Sequence, residues 1–176
     1  MTNTRTDLGE LARDGDRWSL TFTRHLAHPI DKVWRAVTEP EHLAAWFPDR
    51  VVGTMAPGAK LRFEIDQDAV DDFDGEVLEF EPPSLLALRW GEDHVRIELR
   101  PDGNGTVLTF TDTFAEVGKA ARDAGGWHEC LDRLVADLDG APMRDYGEAY
   151  TEVHPAYVAA FPPEASTIGP PEGWQD

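Results

Sequence analysis

Between Gly126 and Gly140 the chain reads GWHECLDRLVADLDG, and this stretch limits what everything before it can form. Trp127, Cys130, Leu131, Leu134, Val135 and Leu138 recur at helical period as one continuous apolar stripe, with Glu129, Asp132, Arg133 and Asp137 on the opposite face. Gly140 followed by Pro142 is a helix stop. A late helix with one apolar face has to bury that face against structure built earlier, and what precedes it is a series of strand-like segments. The spacing predicts a helix laid on a sheet. Whether the space between them is packed or hollow becomes the functional question.

The earlier segments follow a clear order. Residues 1–16 are polar and without periodicity and read as a flexible leader. From Arg17 to His25, Trp18, Leu20 and Phe22 alternate with Ser19, Thr21 and Thr23, the pattern of a half-buried strand. Pro29 opens a short helix over Ile30–Thr38, and Thr38 with Glu41 reads as the cap of a second short helix that Pro48 ends. A meander follows: Val51-Val52, Leu61 to Ile65, Phe73 to Phe80, Leu86 to Trp90, Val95 to Leu99 and Val107 to Asp112. Parity changes between Val77 and Leu78, which predicts a bulge near Gly75. Asp102-Gly103-Asn104-Gly105 is a hairpin turn. Residues 115–125, interrupted by Gly118 and Gly125, read as a lead-in or lid. After Gly140, Tyr146, Tyr150, Val153, Tyr157 and Phe161 make a second helical stripe that Pro155 should kink or split. That stripe can pack in cis or form a homodimer contact. Residues 162–176 read as a disordered tail. The expected domains are thus a leader (1–16), a main domain (17–140), a helical extension (141–161) and the tail (162–176). The architecture is α+β: a curved antiparallel sheet of about six or seven strands wrapped around a long C-terminal helix.

Charge excludes some partners. The net charge of -18 would repel a phosphate backbone or an anionic membrane, and no apolar run approaches the ~18 residues of a membrane span. No signal peptide is evident, and the single cysteine, Cys130, suits a reducing cytoplasm. Lys32, Lys60 and Lys119 are the only lysines among 16 basic residues, a bias that fits a GC-rich bacterial genome.

Arg24 to Phe47, RHLAHPIDKVWRAVTEPEHLAAWF, resembles the opening signature of the family related to the activator of Hsp90 ATPase. That family belongs to the START-like (SRPBCC) superfamily of helix-grip domains. Pro29, Val33-Trp34, Thr38, Pro40, Leu43 and Trp46-Phe47 carry the resemblance. So do Gly75 with Val77, Pro82-Pro83, Trp90, Gly105-Thr106, and Gly126-Trp127 with Leu131 and Leu134. The resemblance implies a START-like helix-grip fold holding a hydrophobic small molecule between the long helix and the sheet. Some relatives act as polyketide aromatases or cyclases. The eponymous co-chaperones add an N-terminal Hsp90-binding domain, for which the residues ahead of Trp18 are expected to leave no room.

The chemical candidates are sparse. His128-Glu129-x-x-Asp132 departs from the zinc motif HExxH at its second ligand and reads as an ordinary, partly exposed helix segment. Asp66, Asp68, Asp71, Asp72 and Asp74 lack the order of a calcium loop. Cys130 reads as a small core residue, and His94 falls outside the concave surface. No catalytic residue, metal site or cofactor is predicted. The expected ligand cavity is framed by Trp34, Trp46, Phe47, Phe63, Trp90, Phe110, Trp127, Cys130, Leu131 and Leu134. The expected function is binding of a hydrophobic or aromatic small molecule. The alternatives are a cofactor-free cyclase or aromatase and an Hsp90-related interaction module.

Overall fold

A computed structural model describes residues 5–66 and 70–170. Its eight strands are β1 (Glu10–Asp14), β2 (Arg17–Leu26), β3 (Arg50–Val52), β4 (Lys60–Glu64), β5 (Phe73–Glu81), β6 (Leu85–Trp90), β7 (Asp93–Asp102) and β8 (Gly105–Phe114). They form one antiparallel sheet in the order β1-β2-β8-β7-β6-β5-β4-β3. Helices α1 (Ile30–Thr38) and α2 (Pro40–Trp46) follow β2, and the long α3 (Ala120–Asp139) and then α4 (Glu148–Ala160) follow β8. The inner face of the sheet and the apolar stripe of α3 meet in one core that includes Leu20, Phe22, Ile97, Leu108, Phe110, Trp127 and Leu131. This is the α+β helix-grip arrangement expected from the pattern.

Several expectations are corrected. Residues 10–14 are not part of a loose leader. They pair with β2 from Glu10 opposite Thr21 to Asp14 opposite Arg17, through a turn at Gly15 with φ 63°. Edge strand β1 carries no apolar alternation because its side chains are mostly exposed, and backbone pairing holds it in place. Of the two readings of 115–125, the lead-in holds and the lid does not: a single 3-10 turn, Val117–Lys119, runs straight into α3. Gly125 does not interrupt the helix: a Cβ there would lie 2.9 Å from the Tyr150 ring, so the glycine admits α4 against α3. Thr38 does not cap α2. Its hydroxyl donates back to the Trp34 carbonyl at 2.7 Å, and Glu39 is the cap position.

The bulge lies between Val77 and Glu79, leaving Leu78 turned outward. Gly75 is required for a different reason. Its missing Cβ would fall 2.3 Å from the Phe63 ring. Gly140, at φ 65°, closes α3 as predicted, with the Ala141 N–H donating to the Ala136 carbonyl at 2.9 Å.

Pro155 lies inside α4 without splitting it; the carbonyl its missing N–H would have met belongs to Thr151, on the exposed side. Tyr150, Val153 and Tyr157 of α4 are buried against the outer side of α3. Consequently His128 and Glu129, expected at the surface, are buried (0% and 4% exposed). The tail expectation fails for its first part: Pro163–Ser166 form a 3-10 turn with Ala165 fully buried, and the Ile168 N–H donates to the Gly118 carbonyl at 3.0 Å. These contacts are too short to leave a sequence period. Residues 171–176 of the expected tail and Asp68 of the acidic run lie outside the described residues. No described helix is long and apolar enough to cross a membrane.

Candidate functional site

Alternation along β7 and β8 turns one parity of side chains toward α3. On β7 these are Asp93, Val95, Ile97 and Leu99; on β8 they are Thr106, Leu108, Phe110, Asp112 and Phe114, all buried. Trp127 of α3 descends onto this face. Its ring lies 4.7 Å from Phe110, 5.0 Å from Trp90 and 5.7 Å from Phe47, centroid to centroid. Phe47 stacks on Phe63 at 5.8 Å, Phe63 on Phe73 at 5.2 Å, and Phe73 meets Trp90 edge-on at 5.7 Å. The rings thus form a continuous packed layer across the end of the sheet.

The ten residues expected to frame a cavity divide accordingly. Trp90, Trp127 and Cys130 line an open cleft. Trp46, Phe63, Phe110, Leu131 and Leu134 are core residues at 0% or 1% exposure, and the Trp46 indole donates to the Ala36 carbonyl at 2.9 Å. Phe47 packs between these two groups. Trp34 stands apart, 5.4 Å from Phe80.

The cleft has a volume of about 190 Å³ and lies between α3, α4 and the end of β6. Its walls include Pro48, Trp90, Gly126, Trp127, Cys130 and Tyr150. A second opening of about 460 Å³ shares Pro48, Trp90 and Tyr146 with it and continues to Asp49, Phe73 and Lys119. Gly126 faces open space, so α3 leaves a notch in the wall at that point.

Polar groups back the aromatic walls. The Trp127 indole N–H donates to Asp112 Oδ2 at 3.0 Å, and the Trp90 indole N–H donates to Asp49 Oδ2 at 2.7 Å. Burial pushes the Asp49 carboxyl up to about 6 against the stabilising indole N–H. Burial raises Asp112 to about 8, helped by the charges of Asp93 and Asp123 and opposed by Lys119 and the Trp127 N–H. Asp93, Asp112 and Asp123 each bring one oxygen within 4.8 Å of the others. Lys119 supplies the cation for this cluster, with Nζ 2.5 Å from Asp93 Oδ2 and 3.2 Å from Asp123 Oδ2. Arg122 also pairs with Asp123, at 2.9 Å.

Cys130, on the cleft wall, is kept as the neutral thiol by burial, which suits a packing residue better than a nucleophile. His128 belongs to a separate structural network. The Tyr157 hydroxyl accepts the Gly9 N–H at 2.9 Å and donates to His128 Nδ1 at 2.8 Å, while burial lowers the histidine and holds it neutral. Glu129 caps α4, accepting the Gly147 N–H at 2.7 Å. The HExxD segment is thus absorbed into joining α3 to α4 and to the N-terminal residues.

Sequence reading missed Asp49, Asp93, Asp112 and Lys119. Asp93 and Asp112 carried a usable signal, because each continues the inward parity of its strand. Asp49 and Lys119 sit in connections, where no period applies.

The chain matches the family model described as Activator of Hsp90 ATPase homolog 1-like protein over residues 27–139. Comparison with curated proteins returns no match. Among solved structures, EF2215 of Enterococcus faecalis, a conserved protein of unknown function, is 18% identical. Its TM-score is 0.71, over 86% of this chain and 89% of that one. CalU16 of Micromonospora echinospora is 25% identical with a TM-score of 0.67, over 86% and 96% of the two chains. DynU16, from the dynemicin biosynthetic locus, is 31% identical with a TM-score of 0.62, over 72% of this chain and 49% of that one. With the matched segment running from the end of β2 through α3, the chain belongs to the Activator of Hsp90 ATPase homolog 1-like family and is a START-like helix-grip domain.

Proposed function

We propose that this protein binds a hydrophobic or aromatic small molecule in the cleft walled by Trp90 and Trp127. The observation that carries the reading is the position of this ring pair. Both rings line the cleft, whereas Phe47, Phe63 and Phe110 of the same layer are buried among other core groups. Small-molecule sites are typically apolar concavities with a few placed polar groups, and rigid rings offer contact area at low entropic cost. The occurrence of DynU16 in a biosynthetic locus supports a small-molecule role, and the buried Cys130 suits a cytoplasmic setting. A second reading, a cofactor-free cyclase or aromatase, is favoured by Asp49. Its carboxyl, raised to about 6 on the wall of the adjoining opening, can exchange a proton near neutral pH.

Gentle native mass spectrometry with organic extraction tests the binding reading when paired with Gly126→Leu, whose Cβ meets nothing within 4 Å and whose side chain extends into the notch. The expected result is an adduct on the wild type, released by solvent and lost in the folded variant. An adduct retained by Gly126→Leu would move the ligand out of this cleft, and clean apo masses for both would count against a tightly held ligand.

A further inference from the structure

Unlike Asp93 and Asp123, which also line the two openings, Asp49 has no cationic partner among the described residues. Asp93 and Asp123 are neutralised by Lys119 and Arg122. Glu129 is engaged by the N-terminus of α4. Arg133 lies over the Tyr146 ring at 5.6 Å and donates to the carbonyls of Ala45 and Arg144. Asp49 accepts one indole N–H from Trp90, and no basic side chain among the described residues forms an ion pair with it.

The surroundings of this carboxylate are aromatic. Asp49 lines the second opening with Phe73, Trp90 and Tyr146, and its charge is felt at Cys130 and Tyr146 of the first. A half-buried carboxylate without a counter-ion is costly to the fold, and an incoming cation would offset that cost. Ring faces of tryptophan and tyrosine add attraction for a positive charge. The net charge of -18 would draw cations toward the surface at long range.

We infer that the ligand of this cleft is a cationic amine with an aromatic body, its ring against Trp90 and Trp127 and its ammonium on Asp49. This rests on the small-molecule reading above and narrows it to a chemical class. Ionised Asp49 provides the charge, and the Trp90 N–H fixes one of its oxygens so that the other remains for the ligand.

Matched probes separate the two ideas. The protonated amine 2-naphthylmethylamine and the neutral 2-naphthalenemethanol share a ring and differ in charge. Binding is followed by calorimetry and by quenching of tryptophan fluorescence at neutral pH. The amine is expected to bind at least tenfold more tightly than the alcohol. Asp49→Asn, which keeps an acceptor for the Trp90 N–H, should remove that preference while leaving alcohol affinity unchanged. Asp102→Asn, at the β7–β8 turn, removes the same charge elsewhere and should preserve the preference. Equal binding of the two probes to the wild type, or a preference that survives Asp49→Asn, overturns the cationic class and leaves the aromatic cleft standing. Failure of both probes to bind overturns the cleft reading and the inference with it.

Discussion

The indole of Trp127 and the carboxyl of Asp112 meet at 3.0 Å inside the core, joining the central helix to the last strand by a polar bond within an aromatic layer. Asp112 is fully buried, and its other oxygen, Oδ1, accepts no hydrogen bond from the described residues. Two acids and a lysine stand close by. Such a carboxyl is most comfortable protonated, and this has a measurable consequence.

The folded protein holds the Asp112 proton up to about pH 8, whereas the unfolded chain releases it near the ordinary carboxyl value of 3.8. Between those values the native state binds more protons, so this group's contribution to stability falls as pH rises through that window. Asp112→Asn keeps an acceptor for Trp127 and cannot ionise. It should be more stable than the wild type above pH 8, by on the order of 1–3 kcal/mol, with the difference shrinking toward pH 4. Urea midpoints across the pH range measure it. A difference that is flat with pH would show that Asp112 ionises normally.

Tyr157 should be a structural anchor. Replacing it with phenylalanine leaves the buried Gly9 N–H without its acceptor and His128 Nδ1 without its donor. The expected loss is about 1–3 kcal/mol in urea unfolding, with faster hydrogen exchange at the Gly9 amide. Unchanged exchange would mean that Tyr157 does not hold the N-terminal segment.

Adjacent glycines in α3 should respond in opposite directions. Gly125→Ala drives a methyl to 2.9 Å from the Tyr150 ring, and overpacking of this kind costs about 1–3 kcal/mol. Gly126→Ala meets nothing within 4 Å and should gain about 0.5–1 kcal/mol through helix propensity. Thermal denaturation of the two variants side by side checks the pair. A loss at Gly126 as large as that at Gly125 would refute the packing account.

The helix-grip frame was legible because its signals are periodic. Helix α1 was placed at its observed bounds by Pro29 and the Ile30, Val33 and Val37 face, and the Gly140 stop held. What failed was local reading of residues whose environment is made elsewhere. Gly125 looked like a helix break because its partner, Tyr150, lies on another helix. Glu129 and His128 looked like a solvent face because nothing in their own segment announces that α4 will cover them. Strand β1 was invisible because an exposed edge strand is held by backbone bonds, which leave no pattern in side chains.

The sequence alone determined the order of elements from β2 to α3, the apolar face of α3, the aromatic character of the interior and the family. These follow from periodicity and from short motifs, which are properties of neighbouring residues. Tertiary structure decided which rings fill the core and which face an opening, and it gave Asp49 and Asp112 their unusual acidities. A carboxyl's acidity is set by what surrounds it, and here those surroundings come from Trp90, Trp127, Asp93 and Lys119, which are distant along the chain and adjacent only once the sheet has closed around the helix.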